Sequence, residues 1–367
     1  MIRRLGSDGP KLIGGFMLVS ALISMFVMNT STTLMLLPIG LAICSVVAKT
    51  VPNMSEIDKN NFDKALLLSI AYAATIGGMS TLVGTAPNIV FSSFMQEVYG
   101  LEIFMDDWMK LGVPVSICML GLAWVILTRV VYPVNFTASD ETKNTLSEML
   151  SDMGPMSKDE FRVGIVFFIA VVLWMFRSLI DNYIIGLTDA GIAITVAIAL
   201  FIIPSSGRNG ELLAWEQSSK LPWGLLLLFG GGLSLGVQIN DTGLGLWIGQ
   251  SLINLKTVPL VILVMAVAAL IIFLTEVTSN VATTSTFLPV FGAVAVAVGV
   301  APEVLTVPVV LAASCAFMLP VATPPNAIVY GANKFKIIDM MRAGFLINIA
   351  GIFVVTIFAY YFAKVIF

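Results

Sequence analysis

Between Lys11 and Lys49 the chain runs from residue 12 to residue 48 without a charged side chain, and the middle of that run is polar: Asn29-Thr30-Ser31-Thr32-Thr33. A bilayer-spanning helix needs about 20 mostly apolar residues. The run is too long for one span and too short for two full crossings with a loop. It fits a re-entrant hairpin, whose two arms of about 16 residues would each rise about 24 Å, with the polar tip inside the membrane. Irregular backbone at that depth must be buried in protein or line a cavity. This one feature therefore implies a polytopic membrane protein built around an internal site.

Composition agrees. Of 367 residues, 58% are hydrophobic and 11% charged, against ~45–50% and ~25% in soluble domains. Lys+Arg number 19 and Asp+Glu 22, so no basic surface suggests nucleic acid as a partner. The chain has no histidine, which removes the usual imidazole base and the commonest zinc ligand. Cys44, Cys118 and Cys315 lie far apart in apolar runs and read as small core hydrophobes, neither a disulfide framework nor a CxxC metal site. Without a paired intramembrane carboxylate or a metal-ligand cluster, an enzyme is the weakest reading, and no organic cofactor is expected. No cleavable signal peptide is evident at the N-terminus.

Further apolar segments fall at about 62–100, interrupted near Gly77 to Pro87, and at about 107–133, 162–181, 187–204 and 222–240. A second hairpin, about 257–300, is polar at mid-run from Thr275 to Ser285. A broken span at about 304–333 and a last one at about 343–366 follow. The expected organisation has four parts. Residues 1–133 carry first-repeat transport elements: the hairpin at about 12–48, the broken helix and the helix after it. Residues 134–161 form a cytosolic polar loop or surface helix. Residues 162–256 are scaffold-type helices of the second repeat, and 257–367 its transport elements. If both ends of the first hairpin face the cytosol, fifteen of the 19 Lys+Arg fall on that side; only Lys110, Arg177, Lys256 and Lys364 fall outside. That bias is the one expected of cytosolic segments. Five spans separate the hairpins, so they open to opposite sides.

The hairpins also match in sequence. Asn29 to Pro38 aligns with Asn280 to Pro289 at a constant separation of 251, the Asn, two-Thr and Leu-Pro positions coinciding. Gly84-Thr85-Ala86-Pro87-Asn88 is answered by Ala322-Thr323-Pro324-Pro325-Asn326 at a separation of 238. The fold expected is thus all-α, with inverted repeats, two re-entrant hairpins and broken transmembrane helices. Paired polar interruptions in inverted repeats mark the midplane site of a secondary transporter. Three spans precede the second hairpin, whereas the first hairpin stands at the very start of the sequence. Equivalent repeats would therefore leave about three N-terminal spans unaccounted for.

At these motifs the chain resembles the divalent-anion/sodium symporters, the sodium-coupled dicarboxylate, citrate and sulfate carriers, over essentially all of residues 1–367 and without that family's first helices. The family's two Ser-Asn-Thr hairpin tips correspond to Met28-Asn29-Thr30 and Ser279-Asn280-Val281, and its helix breaks to Gly84–Asn88 and Ala322–Asn326. The resemblance implies a homodimer in the cytoplasmic (inner) membrane, in contact with lipid, with a fixed scaffold and a moving transport domain. It implies one sodium site from Ser24, Asn29 and a carbonyl around Gly77, and another from Thr275, Asn280 and a carbonyl near Ala322. Substrate carboxylates would rest on Asn29, Thr30, Ser279 and Asn280, with Thr323 and Pro324 alongside. Met28 and Val281 depart from the motifs, each costing a tip one hydroxyl.

The leading expectation is sodium-coupled symport of a small dianion such as succinate, malate or fumarate. The alternatives are a sodium-independent exchanger, motivated by Met28 and Val281, and a truncated, transport-inactive fragment. Plainer readings stand beside these. Single hydroxyls in membrane helices often bond back to their own backbone, and Pro87 and Pro325 can be simple kinks. Gly230-Gly231-Gly232 reads as close helix packing. Glu276 reads either as a sodium or proton site or as a residue in water at a hairpin mouth. Arg177 and Asp189 read as interfacial, and the Asn135-Phe136-Thr137 sequon as silent.

Overall fold

The computed structural model describes residues 8–51, 54–136, 154–180, 186–207, 210–218, 223–244, 247 and 258–367. Among them the architecture is helical, with one isolated bridge between Pro204 and Glu211.

The uncharged run 12–48 is a helical hairpin. Helix α1, Gly9–Ser24, starts on Pro10, whose missing amide hydrogen costs nothing in a first turn. The chain turns through Met25–Met28 and re-enters as α2, Asn29–Thr50. Helix α3, Glu56–Gly78, is capped by the Ser55 hydroxyl, which accepts from Asp58 N at 3.1 Å. It stops at Gly77-Gly78, where helix propensity is poor. Helix α4, Ala86–Tyr99, restarts on Pro87 and ends at Gly100 in the left-handed region, φ 67°. Helix α5, Met105–Val131, is long and apolar enough to cross a membrane.

The middle of the chain gives α6, Lys158–Met175, opened by a Ser157/Glu160 capping box; α7, Asp189–Ile202; and α8, Trp223–Asp241. The second hairpin is α9, Leu260–Thr275, and α10, Asn280–Val298. Then come α11, Glu303–Ala313; α12, Pro324–Tyr330; and α13, Ile337–Ile366. The incoming arms α1 and α9 have 16 residues each, short of the about 20 that a full span needs. The outgoing arms are longer, at 22 and 19 residues, and carry Pro38 and Pro289. Of the polar loop or surface helix expected at 134–161, residues 137–153 lie outside the described residues, as do 181–185, 208–209, 219–222, 245–246 and 248–256 of the 162–256 segment.

Two helices form the centre. Helix α3 is buried from Ala65 through Gly78 and α11 along its whole length. The first hairpin and α5 pack around α3, the second hairpin and α13 around α11, and α5 packs on α13. Equivalent residues make equivalent contacts. Thr33 Oγ1 donates to Asn29 O at 2.8 Å, and Thr284 Oγ1 to Asn280 O at 2.8 Å. Asn88 Nδ2 donates to the carbonyls of Gly78 and Thr81, and its equivalent Asn326 donates through Nδ2 to those of Ala316 and Leu319. Gly112 of α5 lies against the Met79 carbonyl and Gly344 of α13 against that of Phe317, with no room for a Cβ at either. The repeat is therefore a repeat of contacts, and it takes in the helix after each break as well as the hairpin.

Helix α8 joins this body through glycine. A Cβ at Gly232 would collide with Ser285 of α10, and Gly236 sits on Phe94 and Pro289, the close packing expected of the glycine run. Helices α6 and α7 pack on each other and leave broad apolar faces exposed, among them Phe161, Phe168, Ile194 and Ile198.

Arg177, expected at the membrane interface near a span end, is buried among protein groups. It pairs with Glu102 and with Asp189 at 3.2 Å, donates to Leu187 O at 3.0 Å, and stacks over Phe104. This cluster ties the α6–α7 pair to the loop between α4 and α5. Arg177→Ala should lower stability by about 3 kcal/mol, the low end for breaking a buried pair, because Glu102 and Asp189 keep 38% and 29% of their side-chain exposure. An unchanged thermal midpoint in detergent would count against the tie.

Candidate binding site

Four chain segments meet at one cavity of about 330 Å³. The first hairpin tip contributes Met28, Asn29 and Thr30, the second Ser279, Asn280 and Val281. The first break contributes Gly84 to Pro87, the second Val321 to Pro325. Asn29, Thr30, Ser279, Asn280, Ala322, Thr323 and Pro324 are thus brought together from opposite ends of the chain. Ser24, Thr275 and Gly77 lie outside this lining.

Ser24 and Thr275 stand directly behind the two asparagines. Ser24 Oγ, fully buried, donates to Asn29 Oδ1 at 2.7 Å. Thr275 Oγ1, equally buried, lies 2.8 Å from Asn280 Oδ1 and 2.9 Å from Ala313 O. One hydroxyl proton cannot serve two acceptors at once, so this second cluster is richer in lone pairs than in protons. Around Asn29 the crowding is similar. A Cβ on Gly78 would run into Asn29 Oδ1 and sit 3.0 Å from Gly84 O, while one on Gly84 would meet Met25 O at 2.8 Å. Both clusters are neutral oxygen sets of the kind that suits a hard monovalent cation.

Gly77 lies outside the cavity lining, at a close contact between α3 and α1. A Cβ there would collide with the Ala21 backbone, so the two helices touch at this point, and the Gly77 carbonyl accepts from Ser80 N at 3.0 Å. Gly84 lines the cavity in its place and is the repeat equivalent of Ala322. The constant separation between the two breaks was the signal that could have identified it.

All four segments present a helix start: α2, α4, α10 and α12 begin at the cavity. Helix N-termini carry the positive end of the dipole and unpaired amides, where anions bind; here the free amides are chiefly those of α2 and α10, because Pro87, Pro324 and Pro325 have no N–H and the amides of Asn88 and Asn326 bond to Thr85 O and Thr323 Oγ1. None of the lining residues is charged. Met28 and Val281 belong to this lining and not to the oxygen clusters behind it.

Asn88 and Asn326 turn away from the cavity. Both are fully buried, their amides spent on carbonyls of the preceding breaks. Glu276 is neither at a watery mouth nor in the cavity lining. It is 3% exposed, and its carboxylate accepts from the backbone amides of Phe317, Met318 and Leu319.

The family described as "Sodium:sulfate symporter transmembrane region" matches residues 1–367. A sodium-dependent dicarboxylate transporter, SdcS, of Staphylococcus saprophyticus is 36% identical over 367 residues, covering 98% of this chain and 71% of that protein. SdcS of Staphylococcus aureus strain MRSA252 is 37% identical over 374 residues, covering 100% and 72%. Among solved structures, the Alcanivorax borkumensis YdaH transporter superposes with a TM-score of 0.56 at 14% identity, covering 98% of this chain and 79% of that one; it shares the fold.

Proposed function

Because the chain belongs to the sodium:sulfate symporter family, we propose that it is a secondary active transporter of the bacterial cell membrane that carries a small dicarboxylate dianion together with sodium. The observation that carries this reading is the cavity itself. It offers a dianion four helix starts and not one charged side chain. A helix end stabilises an anion by only about 0.3–1 kcal/mol, too little to hold a dianion, so cations bound beside the anion complete the neutralisation. The oxygen clusters at Ser24/Asn29 and Thr275/Asn280 stand where such cations would do so. Sodium at the first would also meet the Gly84 carbonyl, and at the second that of Ala322.

In this reading Asn29, Thr30, Ser279 and Asn280 hold the substrate carboxylates, with Thr323 and Pro324 closing one side. Sodium binding orders the tips, the dianion then binds, and the loaded transport elements move against the α6–α8 scaffold to change access. The hairpins open to opposite faces of the membrane, and the exposed apolar faces of α6 and α7 meet lipid or a second copy in a homodimer. The relatives named above are sodium-dependent dicarboxylate transporters. Met28 and Val281 line the substrate cavity and leave both oxygen clusters intact, which favours sodium coupling over exchange. The exposed Met28 and Val321 side chains favour a ligand with an apolar middle, a C4 dicarboxylate above sulfate.

The test is radiolabelled succinate uptake into proteoliposomes with and without an inward sodium gradient. Uptake should require the gradient and be inhibited by malate and fumarate in preference to sulfate. Uptake indifferent to sodium, or inhibited best by sulfate, would sink the reading.

A further inference from the structure

The two breaks are equivalent in position, but they are held differently. After α3 the amides of Met79 and Ser80 bond to Ile76 O and Gly77 O of their own helix, as an ordinary last turn does. The first tip then reaches the break through a neutral contact, Thr81 Oγ1 donating to Met25 O. After α11, Ser314 and Cys315 likewise bond back, to Leu311 O and Ala312 O. The next amides do not. Phe317 N and Met318 N donate to Glu276 Oε1 at 2.8 and 2.9 Å, and Leu319 N donates to Oε2 at 3.0 Å. Asn348 Nδ2 of α13 adds a fourth contact, to Oε1 at 2.7 Å. All four are donors, which suits an ionised carboxylate, an acceptor only. Glu276 is the repeat equivalent of Met25 and follows Thr275 at the end of α9.

Three successive amides converging on one anion form the kind of concavity that binds free anions elsewhere. Here the chain fills it with its own side chain. We propose that Glu276 is a positioning residue for substrate binding: its carboxylate clamps residues 317–319 to the second hairpin, and so fixes Val321 to Pro325 against Ser279 and Asn280. The carboxylate also occupies a run of amides that would otherwise compete with the cavity for the substrate's charge. The first half has no such clamp, so the effect is confined to the second break. This inference rests on the transporter reading for its kinetic test and on the contacts alone for its structural one.

Glu276→Gln replaces one acceptor oxygen by an amide donor that faces the amide of Leu319 or those of Phe317 and Met318. It should raise the half-saturating succinate concentration about tenfold, the worth of one charge-assisted hydrogen bond, with the maximal rate changed less than about threefold. Asn348→Ala removes only one of the four donors, and should give a smaller rise, about threefold, should Glu276→Gln fail to fold. Amide hydrogen exchange on the purified full chain supplies the second readout. Exchange should rise in both variants at residues 314–323 and stay unchanged at 79–85. Local exchange that rises in a preparation without sodium-driven succinate uptake would support the clamp and refute the transporter reading. Unchanged exchange at 314–323 would overturn the clamp whatever the kinetics. A rise in both breaks together would overturn it too, since Glu276 would then be a general folding residue.

Discussion

Asn29→Ala and Asn280→Ala should each lower sodium-driven succinate uptake about 100-fold while leaving the thermal midpoint within a few degrees of wild type. Each asparagine sits between the cavity and an oxygen cluster, so under the proposed function its loss would remove one contact to the anion and one to the cation. Two charge-assisted contacts are worth about 3 kcal/mol together, or about 100-fold. The fold should tolerate the loss because both amides are local. Without Asn29, Ser24 still reaches Val27 O; without Asn280, Thr275 still donates to Ala313 O at 2.9 Å. The control lies one helical turn on. Thr33 and Thr284 spend their hydroxyls on the carbonyls of those same asparagines. Thr33→Val and Thr284→Val should therefore transport within about twofold of wild type, a neutral backbone hydrogen bond being worth about 1 kcal/mol at most sites. Normal uptake by either alanine variant would remove that asparagine from the site. Unfolding of either would recast it as a structural residue.

Much of this was legible from the chain alone, and the reason is the membrane. Hydrocarbon forces each span to show itself as an apolar run, and forces any polar interruption to have a use. The 12–48 run, the Asn29/Asn280 pairing and the two Pro-Asn breaks follow from that rule. What stayed hidden depends on contacts between distant segments. Glu276 looked like a coupling residue or a solvated one because its partners are amides 41 to 43 residues away, and an amide carries no signature of residue type. The ion pair of Arg177 was not legible because its partner Glu102 lies 75 residues back. Gly77 and Gly84 flank one break, and only the separation that pairs Gly84 with Ala322 distinguishes them. Gly112 and Gly344 were not singled out at all, since the carbonyls they approach belong to the breaks, on earlier segments of the chain.

Asn326→Ala and Asn88→Ala should lower stability by similar amounts, since the two residues are repeat equivalents and equally buried. Asn326 Nδ2 donates to Ala316 O at 3.1 Å and Leu319 O at 3.0 Å. Truncating it leaves Ala316 O without that donor, whereas Leu319 O keeps a second one, Ala322 N at 3.2 Å, so a loss of about 1–3 kcal/mol is expected. Asn88 Nδ2 makes one short contact, 2.8 Å to Thr81 O, and two longer ones, 3.4 Å each to Gly78 O and Met79 O. Met79 O keeps a second donor, Trp108 Nε1 at 3.0 Å. Loss of the Asn88 amide removes the short donor of Thr81 O and the longer one of Gly78 O, and should likewise cost about 1–3 kcal/mol. Asn326→Asp should be worse than Asn326→Ala, because it would turn a buried anion on the same carbonyls with no donor in their place. The comparison is made by thermal or denaturant unfolding of the three variants and the wild type in one detergent. Losses that differ by more than about 2 kcal/mol would mean that one asparagine holds its break and its repeat equivalent does not.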